Sequence, residues 1–259
     1  MSKISVVKLK KKKSQNAVID EVFSTDEAIE IEKNETEEAE KKCVLIIAFT
    51  NDNHLSNVKM IQSIFKQDYE NITLAICNDN TGNFQEERFF YNLAPNRPDG
   101  VRKIYFNCNK YTIGEINSFK NLVNKFESEY VFVIHSGEYF TENSSIKKCV
   151  EIFEENENSV AISARAEIWT DDMKKCSETI TYSVDSFLFD KLIGGNTKKM
   201  SDCMFMYRTS LFDDIQITND YKKIYLNIIS EIEKNKSDIT VSEYSICKFS
   251  PQSISNVNA

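Results

Sequence analysis

Near-continuous apolar runs, each followed by apolar residues at helical spacing, constrain this chain more than any other feature. CVLIIAF (43–49), ITLAIC (72–77) and YVFVI (130–134) are rich in β-branched residues, as strands covered on both faces of a parallel sheet must be. VRKIYF (101–106) reads as a further strand of the same set. Between them Val58, Ile61, Ile64 and Phe65 fall on one helical face, residues 84–93 read as a helix, and Ile116, Phe119, Val123 and Phe126 form a third stripe. Ile146, Val150 and Phe153 mark another helix, and VAISARAEI (160–168) another strand. Strands alternating with helices at these intervals predict βαβ units and one mainly parallel, Rossmann-like α/β sheet flanked by helices.

The later part is less regular. CMFMYR (203–208) predicts a strand, with Thr209 or Ser210 capping a short helix. Tyr221, Ile224, Tyr225, Ile228 and Ile232 form an amphipathic stripe, and ITVSEYSIC (239–247) a closing strand. Residues 1–42 differ in kind: 1–16 carry six Lys and no acid, while 17–42 carry ten acids and three Lys. So little apolar surface does not offset the entropy of ordering, so a disordered charged tail is expected at 1–42, with a short helix around Val18–Ile31 at most. The remainder, 43–259, is expected to be one domain. Lys10–Lys13 would give at most a peripheral attachment to anionic lipid.

Composition narrows the function. Six Gly and three Pro in 259 residues are too few for a turn-dense β sandwich, and 41% hydrophobic residues suffice for a sizeable core. No apolar run approaches the roughly 18 residues of a membrane helix, and the basic start leads into no apolar segment. A soluble, cytoplasmic protein is expected. Seven cysteines are scattered without a CxxC pair, which is neither a disulfide framework nor a zinc pattern. A net charge of −8 argues against nucleic acid as a partner and requires a local cation wherever an anionic ligand binds.

Polar residues gather where the expected strands end, the edge at which open α/β sheets hold ligands. Thr50-Asn51-Asp52-Asn53 follows the first, Asn78-Asp79-Asn80-Thr81-Gly82-Asn83 the second, and His135-Ser136-Gly137-Glu138 the fourth. The first strand leads into TNDNH, so neither a dinucleotide fingerprint nor a P-loop is present, and no GxSxG elbow occurs.

In order and spacing these features resemble the family-2 glycosyltransferases of the type-A, nucleotide-diphospho-sugar transferase fold. The elements that carry the resemblance are Thr50-Asn51 after the first strand, QSIFKQDYENI (62–72), Asn78-Asp79-Asn80-Thr81, then Asn109, Gly114 and Asn121. His135-Ser136-Gly137-Glu138 stands at the family's Asp-x-Asp-Asp motif, and Asn219-Asp220 at an acidic pair opening a late helix, so that roughly 43–235 is covered. The resemblance implies nucleotide contacts from Thr50, Asn51, Asn78, Asp79 and His135, and a catalytic base at Asp220 that deprotonates the acceptor hydroxyl. It implies Mn2+ or Mg2+ at the fourth strand, but of the usual carboxylates only Glu138 is present, so metal dependence is expected to be weak. Lys198, Lys199 or Arg208 would then neutralise the leaving diphosphate.

Two readings follow. In the first, the protein transfers a sugar from a nucleotide-diphospho-sugar to a hydroxyl of a glycan or other acceptor by inverting displacement, in glycan biosynthesis. In the second, the fold persists as a catalytically inactive module that binds nucleotide or glycan, or acts as a scaffold. The depleted motif favours the second reading, while Asp79 and Asp220 favour the first.

Overall fold

The computed structural model describes residues 41–79, 84–93, 100–109, 111–170, 172–180, 202–213 and 237–250. It also describes the strand segments at 3–6 and 29–30 and the helical residues 227, 230–232 and 234–235. The strands are β1 (Lys3–Val6), β2 (Ile29–Glu30), β3 (Val44–Phe49), β4 (Ile72–Asn78), β5 (Val101–Cys108), β6 (Tyr130–His135) and β7 (Glu138–Phe140). They continue with β8 (Ser159–Trp169), β9 (Cys176–Ile180), β10 (Phe205–Arg208) and β11 (Asp238–Phe249). The helices are α1 (His54–Phe65), α2 (Glu86–Leu93), α3 (Glu115–Val123) and α4 (Ser145–Glu155).

These strands form one sheet in the order β1-β5-β4-β3-β6-β10-β8-β11-β7, with β2 also on β5 and β9 on β8. Its centre, β5-β4-β3-β6, is parallel throughout. Every residue of β3, β4 and β6 is buried, which is why their sequence is a run rather than an alternation. α1 begins at Asn53, whose side chain accepts from the Ser56 N–H, and buries Val58, Ile61, Ile64 and Phe65 together with Met60 and Asn57. β10 runs antiparallel between β6 and β8, so β6 and β8 point the same way. The carboxyl ends of β3, β4, β6 and β8 therefore share one edge.

Several details differ from the sequence expectation. Cys203 and Met204 lie in a 3-10 turn (Asp202–Met204) rather than in the strand, and the turn Thr209–Phe212 is preceded by Arg208, not capped by a Thr or Ser hydroxyl. β7 and β9 are additional short strands, paired with β11 and β8. Of the helix expected around Val18–Ile31, the described part, Ile29–Glu30, is a strand on the free edge of β5, beside β1. In the stripe expected at Tyr221–Ile232, residues 221–226, 228 and 229 lie outside the described residues, whereas 227 and 230–232 are helical. All seven cysteines are free thiols, with Cys203 and Cys247 in contact. Among the described residues no helix is long and apolar enough to cross a membrane.

Candidate active site

At the end of β3, Thr50 turns inward. Its N–H and hydroxyl both donate to the Cys77 carbonyl, at 2.9 and 3.2 Å, and its Oγ1 accepts from Asn78 Nδ2 at 3.1 Å. Asn51 is held by the buried Asn57 of α1, which accepts from the Asn51 N–H and donates to the Asn51 carbonyl. Its own Oδ1 accepts from the Asn53 N–H, a local turn that delivers the chain into α1. Thr50, Asn51 and Asn78 are thus fixed side by side across β3 and β4, as their strand-end positions require.

Asp79 has a more demanding task than the sequence indicates. Its Oδ1 accepts from Asn109 Nδ2 at 2.7 Å and the Ile113 N–H at 2.9 Å, and its Oδ2 accepts from the Gly114 N–H at 2.8 Å. Gly114, at φ +84°, is the residue preceding α3, and a left-handed backbone there favours glycine. The carboxylate therefore braces the loop into α3 and places an anion at that helix's positive end. Asn109 completes the brace by donating also to Ser118 Oγ and accepting from Asn107.

The fourth strand end is a compact charge cluster. β6 runs to His135, the chain reverses through Ser136 and Gly137 (φ +97°), and β7 begins at Glu138. His135 is buried and stacks on Phe49, with ring centroids 5.3 Å apart. Its Nε2 lies 3.2 Å from Glu115 Oε2 of α3, its Nδ1 3.5 Å from Glu138 Oε2, and its backbone N–H donates to that same oxygen at 2.7 Å. Burial alone would push the imidazolium toward its neutral form, but Glu115 and Glu138 outweigh it and hold the pKa well above the usual histidine range. Glu115 is absent from the expected set. Its only sequence signal is an acid in the first turn of a helix, which the helix dipole alone explains.

This donor set does not fit a resident divalent ion. Mg2+ and Mn2+ need several convergent oxygen ligands, whereas the Glu138 carboxylate is turned back onto the His135 backbone N–H at the end of β6 and onto the imidazole. Among the described residues no group of three His, Cys, Asp or Glu side chains is disposed to hold a metal.

Arg208 is corrected outright. It pairs with Tyr130, at the start of β6, so it stands at the opposite end of the sheet from His135. There its guanidinium donates to the carbonyls of Phe153 and Ser159 and lies over the Phe153 ring at 4.9 Å, closing the end of α4. Lys198, Lys199 and Asp220 lie outside the described residues, as does Lys10–Lys13. A cleft of ≈ 340 Å³ between α1 and β7, lined among others by Lys59, Lys66, Tyr139 and Lys248, includes none of the expected site residues.

The model of the family described as Glycosyl transferase family 2 matches residues 43–216. No curated protein is a match. Among solved structures, residues 1–349 of TarS from S. aureus are similar at a TM-score of 0.55 and 14% identity, over 83% of this chain and 63% of that one. The mannosyltransferase PcManGT from Pyrobaculum calidifontis, solved with GDP-Man and Mn2+, is similar at a TM-score of 0.58 and 10% identity, over 81% of this chain and 57% of that one. The TarS fragment has also been solved with UDP and with UDP-GlcNAc. The chain spans less than two thirds of the length of either relative. At these identities the likeness establishes the type-A glycosyltransferase fold.

Proposed function

Because the chain belongs to glycosyl transferase family 2, we propose that it transfers a sugar from a nucleotide-diphospho-sugar to a hydroxyl of a glycan or other acceptor. The observation that carries this reading is the convergence of Thr50, Asn78, Asp79 and His135 on one sheet edge, each fixed by hydrogen bonds. A rigid polar edge can orient a nucleotide without reorganising when it binds. Thr50, Asn51 and Asn78 supply hydrogen-bonding groups for the nucleoside. Asp79 meets the nucleotide directly and shapes its loop. The likeness to proteins solved with UDP-GlcNAc and GDP-Man supports a nucleotide sugar as the donor class.

Transfer is proposed as an inverting displacement. Asp220 accepts the proton of the acceptor hydroxyl while its oxygen attacks the anomeric carbon, and the nucleoside diphosphate departs from the opposite face. No step is assigned to a metal, because the residues of the fourth strand end do not fit one.

The test is release of nucleoside diphosphate from a panel of nucleotide sugars in the presence of glycan acceptors, with Asp220→Asn alongside. General-base help typically contributes about 10²–10⁴-fold. The near-isosteric variant should lose turnover on that scale and keep its nucleotide affinity. Unimpaired transfer by Asp220→Asn would remove that residue from the mechanism. No transfer by the parent protein across the panel would favour an inactive binding module.

A further inference from the structure

An anionic donor meets an unfavourable field at this edge. The imidazole of His135 faces a carboxylate at each ring nitrogen, so its charge is already answered, and Asp79 adds a further negative group. The chain as a whole carries −8. Some other cation must offset the donor's phosphates, and Arg208 is at the wrong end of the sheet.

The strand register identifies one. Met206 of β10 lies opposite Phe132 of β6 and opposite Ile162 of β8. His135 and Arg165 therefore each stand three residues beyond that level, toward the same edge and on the same face of the sheet. They are separated by two strand spacings, about 10 Å. On the other side of β6, Phe49 is level with His135, and Thr50 follows it. A nucleoside seated over β4 and β3 thus points its phosphates past His135 toward Arg165.

Among the described residues Arg165 is also uncommitted. It is half-buried, and its Nε is one of four buried side-chain polar atoms without a hydrogen-bond partner among the described residues. No described carboxylate pairs with it. Glu167, the next acid on its face of β8, instead accepts from Trp169 Nε1 at 2.8 Å. A second of the four atoms is Ser136 Oγ, in the turn immediately after His135. Buried polar atoms are rarely left unmatched, and two of them flank the path just described.

We infer that Arg165 receives the diphosphate of the nucleotide donor, its guanidinium taking the charge that develops on the leaving group. The inference rests on the proposed donor class. A guanidinium suits the task because its planar fork donates two parallel hydrogen bonds to phosphate oxygens and never loses its proton.

The test is calorimetric titration of the full chain with uridine and guanosine diphosphates and with the matching nucleosides. Arg165→Gln should lose about tenfold to a hundredfold in affinity for the diphosphates and leave nucleoside affinity unchanged. Its melting temperature should match or exceed the parent's, because an unpaired, half-buried charge has been removed; a purely structural arginine would show the reverse. Arg165→Lys should regain part of the loss, since charge returns without the fork. If the Gln variant does not fold, Arg165→Met, which keeps the packing of the stem, replaces it in the same titration. Equal diphosphate affinity in parent and variant, or an equal loss for nucleoside and diphosphate, overturns the assignment. A parent protein that binds neither diphosphate overturns the donor reading itself.

Discussion

A single histidine determines much of the character of this site. His135 ends β6, and Glu115 and Glu138 close on it from α3 and β7. Its folded-state pKa is raised, so its contribution to stability is fully present below the unfolded pKa of about 6.5 and fades as pH rises through the folded value. Denaturant unfolding between about pH 6 and pH 9 should show stability falling with pH, by at most about 1.4 kcal/mol per unit. His135→Gln should remove that slope, and an unchanged slope would mean that another group causes it. Asp79 gives a second residue-scale expectation. Asp79→Ala should weaken uridine diphosphate binding by about 1.5–3 kcal/mol, the scale of a charged hydrogen-bond partner, measured in a variant shown to be folded. An undiminished affinity would confine Asp79 to bracing the loop into α3.

At the scale of elements, the turn from β6 to β7 sets the geometry of the His135–Glu138 contact. Gly137 is held at φ +97°, and an L side chain in left-handed space costs about 1–2 kcal/mol. Gly137→Ala should lower unfolding stability by that amount and disturb the His135–Glu138 contact, visible as a shifted histidine ring resonance. Because Glu138 is turned onto His135, manganese should change nucleotide affinity by less than about tenfold, or 1.4 kcal/mol. A larger effect that disappears in Glu138→Gln would show that the carboxylate rotates toward a metal when the donor binds. The sequence made β3, β4 and β6 legible because strands buried on both faces leave no polar alternation to confuse. It hid β7, whose three residues are a strand only because Cys247, Lys248 and Phe249 of β11 lie opposite them. It hid the tasks of Arg208 and Arg165 for the same reason. A cation's distance along the chain from a polar loop says nothing about which end of a strand it reaches, and only the pairing through β10 does.

At the scale of the whole molecule, the parallel centre was readable and the borders of the sheet were not. One border is β5, whose outer edge is covered by Lys3–Val6 and Ile29–Glu30 from a segment whose composition alone predicts disorder. An open strand edge presents unpaired backbone donors and acceptors, and proteins commonly guard such edges with charge. Arg102 and Lys103 give β5 some of that protection, and Lys103 is exposed. A chain beginning at Lys41 would keep the buried strands β3, β4 and β6 and the charged pair, but would lose what lies over the edge. Its melting temperature should therefore fall only slightly, since the buried core among the described side chains begins at Val44. Sedimentation velocity should nevertheless show concentration-dependent self-association that is absent from the full chain, because a second copy can pair where β1 and β2 did. A truncated chain that stays monomeric at every concentration would show that Arg102 and Lys103 suffice. A large loss of stability on truncation would show instead that the first forty residues are part of the folded unit.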